Sequence, residues 1–340
     1  MRIGFNPNKD KQLTSTDFFH HVVVPVYIPN QEGYFKDSFQ ILQFCINSLL
    51  TTSHKNTFFT IVNNGSSNEV IDYLNSLYQQ NKIHELIHST NIGKLNSIIK
   101  GYSGHQFKLI TITDADVLFL NNWQKSTYDV FNNFPKTGMV CPTPSSKSYN
   151  DKSFNILFEN LFSKRMRFTK VKNPEALIAF ATSIGNPEFY KKQHLEKYLT
   201  ISNNNFKAVI GAGHFVGTYR YDVFQDLGII YSQFSLGGDS EYKILDKPII
   251  KNGLWRMSTE DNFAYHLGNV VEPWMQETIN NLKQSNTQIE TVTIDFKKRK
   301  QNYLIFWIKN HLFQKILYRK FFRQLFLNYK GLTKKEALEY

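Results

Sequence analysis

Cysteine is almost absent from this 340-residue chain: Cys45 and Cys141 are the whole complement. They lie in apolar stretches and lack the paired spacing of a disulfide scaffold or of a metal site. They read as buried thiols in a reducing compartment, although two cysteines can still bridge in space. No uninterrupted apolar run approaches the roughly 18 residues that a membrane span needs. The polar stretch Met1–Lys11 lacks the apolar core of a secretory signal. These absences predict a cytoplasmic protein, or one lying peripherally on the cytosolic face of a membrane. Internal repeats and low-complexity tracts are missing too, which excludes solenoids and disorder throughout.

What is present is core-forming material: 41% hydrophobic residues and 15% aromatic. The net charge of +12 is unevenly spread. Residues 297–340 hold twelve Lys or Arg against Glu336 and Glu339, a balance of +10 that leaves +2 for the other 296 residues. The basicity belongs to the tail.

Short β-branched runs alternate with helical periodicity through the first third of the chain. The runs are His21–Ile28, Phe58–Val62, Glu85–His88 and Phe107–Thr113; helical spacing occupies Phe39–Leu50, Asn68–Gln80 and the stretch after Lys94. This order predicts an α/β fold with a doubly wound, mostly parallel sheet flanked by helices. Ligands bind such sheets beyond the carboxyl ends of the strands. Residues 145–205 read as loops and helices of no clear order. Strand character returns at Lys207–Gly217, before a helix near Tyr221–Leu227. We divide the chain into an N-terminal lead (1–19), a donor half (20–144), an acceptor and base half (145–275) and a basic, aromatic-rich helical tail (276–340).

Asp114-Ala115-Asp116 ends the fourth run. Residues two apart in extended chain face the same way, and hard carboxylate oxygens suit Mn²⁺ or Mg²⁺. Chance alone yields an expected count of about 0.5 such triplets in a chain of this length and composition, so its position after a strand gives it meaning. Gly237-Gly238-Asp239-Ser240-Glu241 offers carboxylates that can take a proton from a hydroxyl; a solvated acidic turn is the bland alternative. His266 can complete a mixed oxygen and nitrogen metal site, though a lone histidine is more often structural. Asn63-Asn64-Gly65-Ser66 and Asn91-Ile92-Gly93-Lys94 also fall at strand ends, where plain turn chemistry would serve equally.

In order, Val24-Pro25-Val26-Tyr27, these two turns, the Asp114–Asp116 triplet, Gly211–Gly217, the Gly-Gly-Asp-Ser-Glu turn and the late histidine resemble family-2-type glycosyltransferases of GT-A fold, over about residues 20–275. The resemblance implies that Pro25, Tyr27 and Asn64 line a base pocket. Asn91, Gly93 and Lys94 would border base, ribose or diphosphate, with Asp114 at the ribose or sugar. Asp116 and His266 would bind the metal. Asp239 matches the catalytic base of inverting members, and Glu241 the acidic position two later. The family often has Asp where Asn64 stands and an acidic residue where Gly238 stands, and the loop from Pro29 to Lys36 is longer than usual. A UDP-sugar is the favoured donor, and a glycan or lipid-linked hydroxyl the acceptor, in cell-surface polysaccharide synthesis. A non-catalytic carbohydrate-binding relative of the same fold is the alternative. A sugar-1-phosphate nucleotidyltransferase ranks lower, because Ile28–Gly33 is neither Gly-rich nor basic.

Taken as one helix from Tyr303 to Tyr329, the tail gathers Lys309, Lys315, Arg319, Lys320 and Arg323 into an arc of about 140°. This basic arc predicts an anionic membrane surface as partner through residues 297–335, with part of the helix packed on the catalytic domain or a second subunit. No nucleic-acid module accompanies the charge, so nucleic acid is not expected.

Overall fold

The computed structural model describes residues 4–12, 16–225, 231–284 and 296–340. Strands β1 (His20–Val26), β2 (Thr57–Asn64), β3 (Glu85–Ser89) and β4 (Leu109–Thr113) alternate with helices α1 (Ser38–Thr52), α2 (Asn68–Gln79) and α3 (Lys94–Tyr102). All pairings among these strands are parallel, in the order 3-2-1-4 of a doubly wound sheet. Val22, Val23 and Val24 are fully buried because helices cover both faces. Gly101 lets α3 close on the sheet: a Cβ there would stand 2.6 Å from Val23 Cγ1 and 2.8 Å from Val62 Cγ2.

The second half adds β5 (Val117–Phe119), helix α4 (Trp123–Asn133), β6 (Thr137–Cys141), β7 (Met166–Lys170), β8 (Lys197–Asn203), β9 (Phe206–Ile210), β10 (Val216–Arg220), β11 (Trp255–Ser258) and β12 (Ala264–His266). Strand β10 inserts antiparallel between β4 and β6; β11 runs parallel to β6 and joins the antiparallel meander β9-β8-β7. The stretch 145–205, unordered on periodicity alone, thus supplies two strands and the helices Phe154–Glu159, Pro174–Ser183 and Lys192–Glu196. Strands β5 and β12 form a separate ribbon that sets His266 opposite Val117. Both cysteines are free and buried, and burial pushes the Cys141 thiol up to about 11.

Two local expectations change. Near Tyr221 there is a 3-10 turn, Tyr221–Val223, and the rest of the helix expected to Leu227 runs into residues outside those described. The tail is not one helix. Tyr303–Trp307, Ile308–Phe313 and Gln314–Leu317 run on continuously, then Arg319 adopts extended backbone (φ −68°, ψ 129°) before the helix Lys320–Tyr329. The break lets the second helix bury Phe326 and Leu327 and removes Arg319, Lys320 and Arg323 from the arc of Lys315. Lys309 leaves that arc as well: it is buried against Glu159 at 2.6 Å. Lys330 is also buried, donating to the carbonyls of Asn160 and Ser163, and burial lowers its pKa to about 8.

Candidate active site

The carboxyl ends of β1, β2 and β4 open into one cavity of about 370 Å³. Pro25 and Tyr27 reach it from β1, Asn64 from β2, Lys94 from the start of α3, and Asp114 and Asp116 from beyond β4. Asn91 also lines it and braces the wall. Its Oδ1 accepts from Asn64 Nδ2 (3.1 Å) and from the Gly93 N–H (3.0 Å), while Asn64 Oδ1 accepts from Ile92 N–H (2.8 Å). Gly93 itself lies beneath the wall. Its φ of +86° and a Cβ position 2.8 Å from the Phe234 carbonyl both require glycine. That close approach lets Ser235 accept from the Lys94 N–H at 2.9 Å and brings Ser235 and Leu236 onto the cavity rim.

The two carboxylates of the triplet have different surroundings. Asp114 pairs with Lys94 Nζ at 2.5 Å. Burial works against the Lys94 charge, but Asp114 above all, then Glu241 and Asp116, hold its pKa above the ordinary value. Asp116 Oδ1 is shielded from solvent and has no hydrogen-bond partner, although 31% of the side chain remains exposed. Burial raises the Asp116 pKa, His266 opposes that, and Asp114 reinforces it.

His266 Nε2 stands 3.4 Å from Asp116 Oδ2. The other ring nitrogen, Nδ1, lies 2.9 Å from Ser183 Oγ, whose hydroxyl proton is committed to the Phe180 carbonyl at 2.8 Å. Ser183 must therefore accept from Nδ1–H. In the neutral ring this turns the Nε2 lone pair toward the carboxylate, an arrangement that needs a cation between them, proton or metal. Among the described residues no three His, Cys, Asp or Glu side chains form a ready-made metal cage. Two protein ligands still suit a divalent ion that takes its remaining oxygens from phosphates and water.

Neither Asp239 nor Glu241 lines the cavity. Glu241 contributes to the field on Lys94, whereas Asp239 is 59% exposed and paired with Lys243 at 2.6 Å. Behind them the π-helical turn Tyr242–Asp246 ends in a fully buried carboxylate. Asp246 Oδ1 meets His214 Nε2 (2.8 Å) and Arg256 Nε (3.2 Å), and Oδ2 meets Lys152 Nζ (2.9 Å). Burial would raise its pKa, but Arg256, then His214 and Lys152, hold it well below the usual carboxylate range.

Sequence reasoning missed Tyr34 and Phe35 on the cavity wall, Ser235 and Leu236 on its rim, and Ser183 behind His266. The long Pro29–Lys36 loop with its two aromatics was the available signal for the first pair. Nothing local marked the others, which arrive from distant segments.

The profile of glycosyl transferase family 2 matches residues 22–199, more than half of the chain. No curated protein sequence matches. Among solved structures, a mannosyltransferase of Pyrobaculum calidifontis, PcManGT in complex with GDP-Man and Mn²⁺, is 12% identical; the similarity covers 94% of this chain and 74% of that one, at a TM-score of 0.46. S. aureus TarS 1–349 is 10% identical over 73% of this chain and 60% of its own, at 0.44. The chain thus spans less than two thirds of that TarS structure. With the family profile over residues 22–199, more than half of its length, this chain belongs to glycosyl transferase family 2.

Proposed function

We propose that the chain transfers a sugar from a nucleotide-sugar to a hydroxyl of a glycan or lipid-linked acceptor, with inversion, in cell-surface polysaccharide synthesis. A UDP-sugar is the first donor to test. The carrying observation is the Asp116–His266 pair, in which Asp116 Oδ2 stands 3.4 Å from His266 Nε2 while the shielded Asp116 Oδ1 has no hydrogen-bond partner. Asp116 and His266 would hold Mn²⁺ or Mg²⁺. When bound, the ion acts as a Lewis acid toward the departing diphosphate. Lys94 adds a positive charge at the cavity wall, held by its pairing with Asp114. Tyr27, with Phe35 edge-on at 5.9 Å, gives the base an aromatic wall, and Asn64 and Asn91 offer amide contacts.

Asp239, exposed and outside the cavity lining, takes the proton of the acceptor hydroxyl. Glu241 acts through the field on Lys94. In this reading residues 20–144 hold most of the donor, residues 145–275 carry acceptor and base, and the tail holds the enzyme to a membrane from the cytosolic side through residues 297–335. No helix among the described residues is long and apolar enough to cross a bilayer.

The test is a panel of nucleotide-sugars incubated with the protein, with and without Mn²⁺, scored for released nucleoside diphosphate. One donor should respond, and only with metal. Turnover that survives complete metal removal overturns the ion assignment, and silence across the panel overturns the enzyme reading. An anomer retained in the product overturns inversion.

A further inference from the structure

The inward face of the helix from Tyr303 to Leu317 is consumed by the fold: Phe306, Asn310, Phe313 and Leu317 are buried. The outward face is not polar, as a solvated helix would require. Leu304 is 62% exposed, Trp307 43% and Leu312 42%; across the break Phe321 is 70% exposed and Leu325 56%. Burying these side chains is not part of folding, and so many on two adjoining helices exceed the scatter of single apolar residues on an ordinary surface. The basic residues of this segment are not matched by acids within it. Residues 297–335 contain twelve Lys or Arg and no Asp or Glu. Lys309 and Lys330 have internal partners, while Lys315, Arg319 and Lys320 are exposed among the apolar groups.

We infer that these two helices form a bilayer-insertion surface, in which apolar side chains enter the acyl boundary while lysines and arginines reach back to anionic headgroups. This deepens the membrane reading above by assigning the main attraction to apolar insertion instead of a basic arc. A second copy is the wrong occupant, because a symmetric contact would bring two acid-free cationic faces together without a counter-charge. A bilayer of anionic lipid satisfies both halves of the surface at once. Long basic side chains can lie along apolar surface and keep their charge in water.

Flotation of the full-length protein with phosphatidylcholine vesicles, with or without phosphatidylglycerol, tests this. Leu304→Ser combined with Phe321→Ser changes only exposed side chains and should lower partitioning on anionic vesicles by at least about tenfold, at low and high salt alike. Lys315→Gln combined with Lys320→Gln should lower it chiefly at low salt. If the serine variant floats like the parent and salt releases everything, the insertion surface falls while the basic-tail reading stands. If the parent floats with no vesicle, both fall. Loss of a dimer in the serine variant, measured by sedimentation without lipid, would make a second copy the occupant and overturn the proposal. Diphosphate release is scored separately, so none of these outcomes bears on the enzyme reading.

Discussion

Asp246 and Asp116 each carry one shielded oxygen without a hydrogen bond, yet Asp246 Oδ2 is ion-paired with Lys152 at 2.9 Å and Oδ1 meets His214 and Arg256, whereas Asp116 Oδ1 has no charged partner. The partners of Asp246 come from three separate segments, and they lower its pKa despite complete burial. At Asp116 burial wins, and the carboxyl is held above its ordinary range. A shielded carboxylate that the fold satisfies belongs to the scaffold. One left unsatisfied costs stability, and a ligand can remove that cost. Under the proposed function, the contrast separates a residue that holds the fold together from one that lets the enzyme act; Asp246 is fully buried and Asp116 is partly exposed.

Substitution can break that contrast directly. If Asp116 holds the ion as proposed, Asp116→Ala should lower sugar transfer by about 10³-fold or more. Its thermal midpoint should stay level or rise, since the fold disfavours this charge. Asp246→Ala should lower stability by about 3–5 kcal/mol, because it strands the buried Arg256 guanidinium. Urea unfolding of both variants beside a donor-turnover assay decides the matter. Equal losses of stability in the two would erase the distinction between them.

Much of this was legible in the sequence, for a physical reason. A parallel sheet is built from contiguous apolar runs, so β1 to β4 and α1 to α3 are visible in periodicity, and their ends fall within two residues of expectation. Pro25, Asn64, Lys94 and Asp116 stand at those ends and were found together. Ser235 reaches the pocket only because Gly93 lets a remote loop approach, and Ser183 matters only through a hydrogen bond to His266. The tail failed for a related reason. Helical periodicity assumes an unbroken axis, and burial of Phe326 and Leu327 reorients the chain at Arg319.

A second pair of carboxylates sharpens the same contrast with smaller effects. Asp239 makes one exposed i,i+4 pair with Lys243, worth a few tenths of a kcal/mol, so Asp239→Asn should leave stability within ~0.5 kcal/mol. As the base it should still cost about 10²-fold in kcat, with the donor KM little changed. Glu241→Gln should act through Lys94, raising the donor KM and lowering kcat by about tenfold or less. Steady-state kinetics with the donor that the nucleotide-sugar panel selects separates the two. A large kcat loss in Glu241→Gln with none in Asp239→Asn would exchange their roles.

The buried histidines of β1 and its neighbourhood extend the comparison to groups kept neutral. His20 lies 2.5 Å from Tyr128 Oη and 2.7 Å from Thr111 Oγ1, and His54 lies 2.8 Å from the same tyrosine oxygen. Burial, before any neighbouring charge, lowers His21 to about 3 and His54 to about 4. His20, fully buried, lies well below its ordinary value of 6.5 for the same first reason. Above pH 6.5 these rings are neutral folded and unfolded, and they add no pH dependence. Below 6.5 the unfolded chain binds protons that the folded one refuses, so stability falls as pH drops toward about 4. Each ring contributes up to ~1.4 kcal/mol per pH unit across its own window. Urea midpoints measured between pH 7 and 5 should therefore decline with a slope of more than one proton, and His54→Gln should flatten it. If the slope is unchanged in that variant, His54 is not held neutral in the fold, and the network it shares with Tyr128 does not resist charge in the way Asp246 resists losing it.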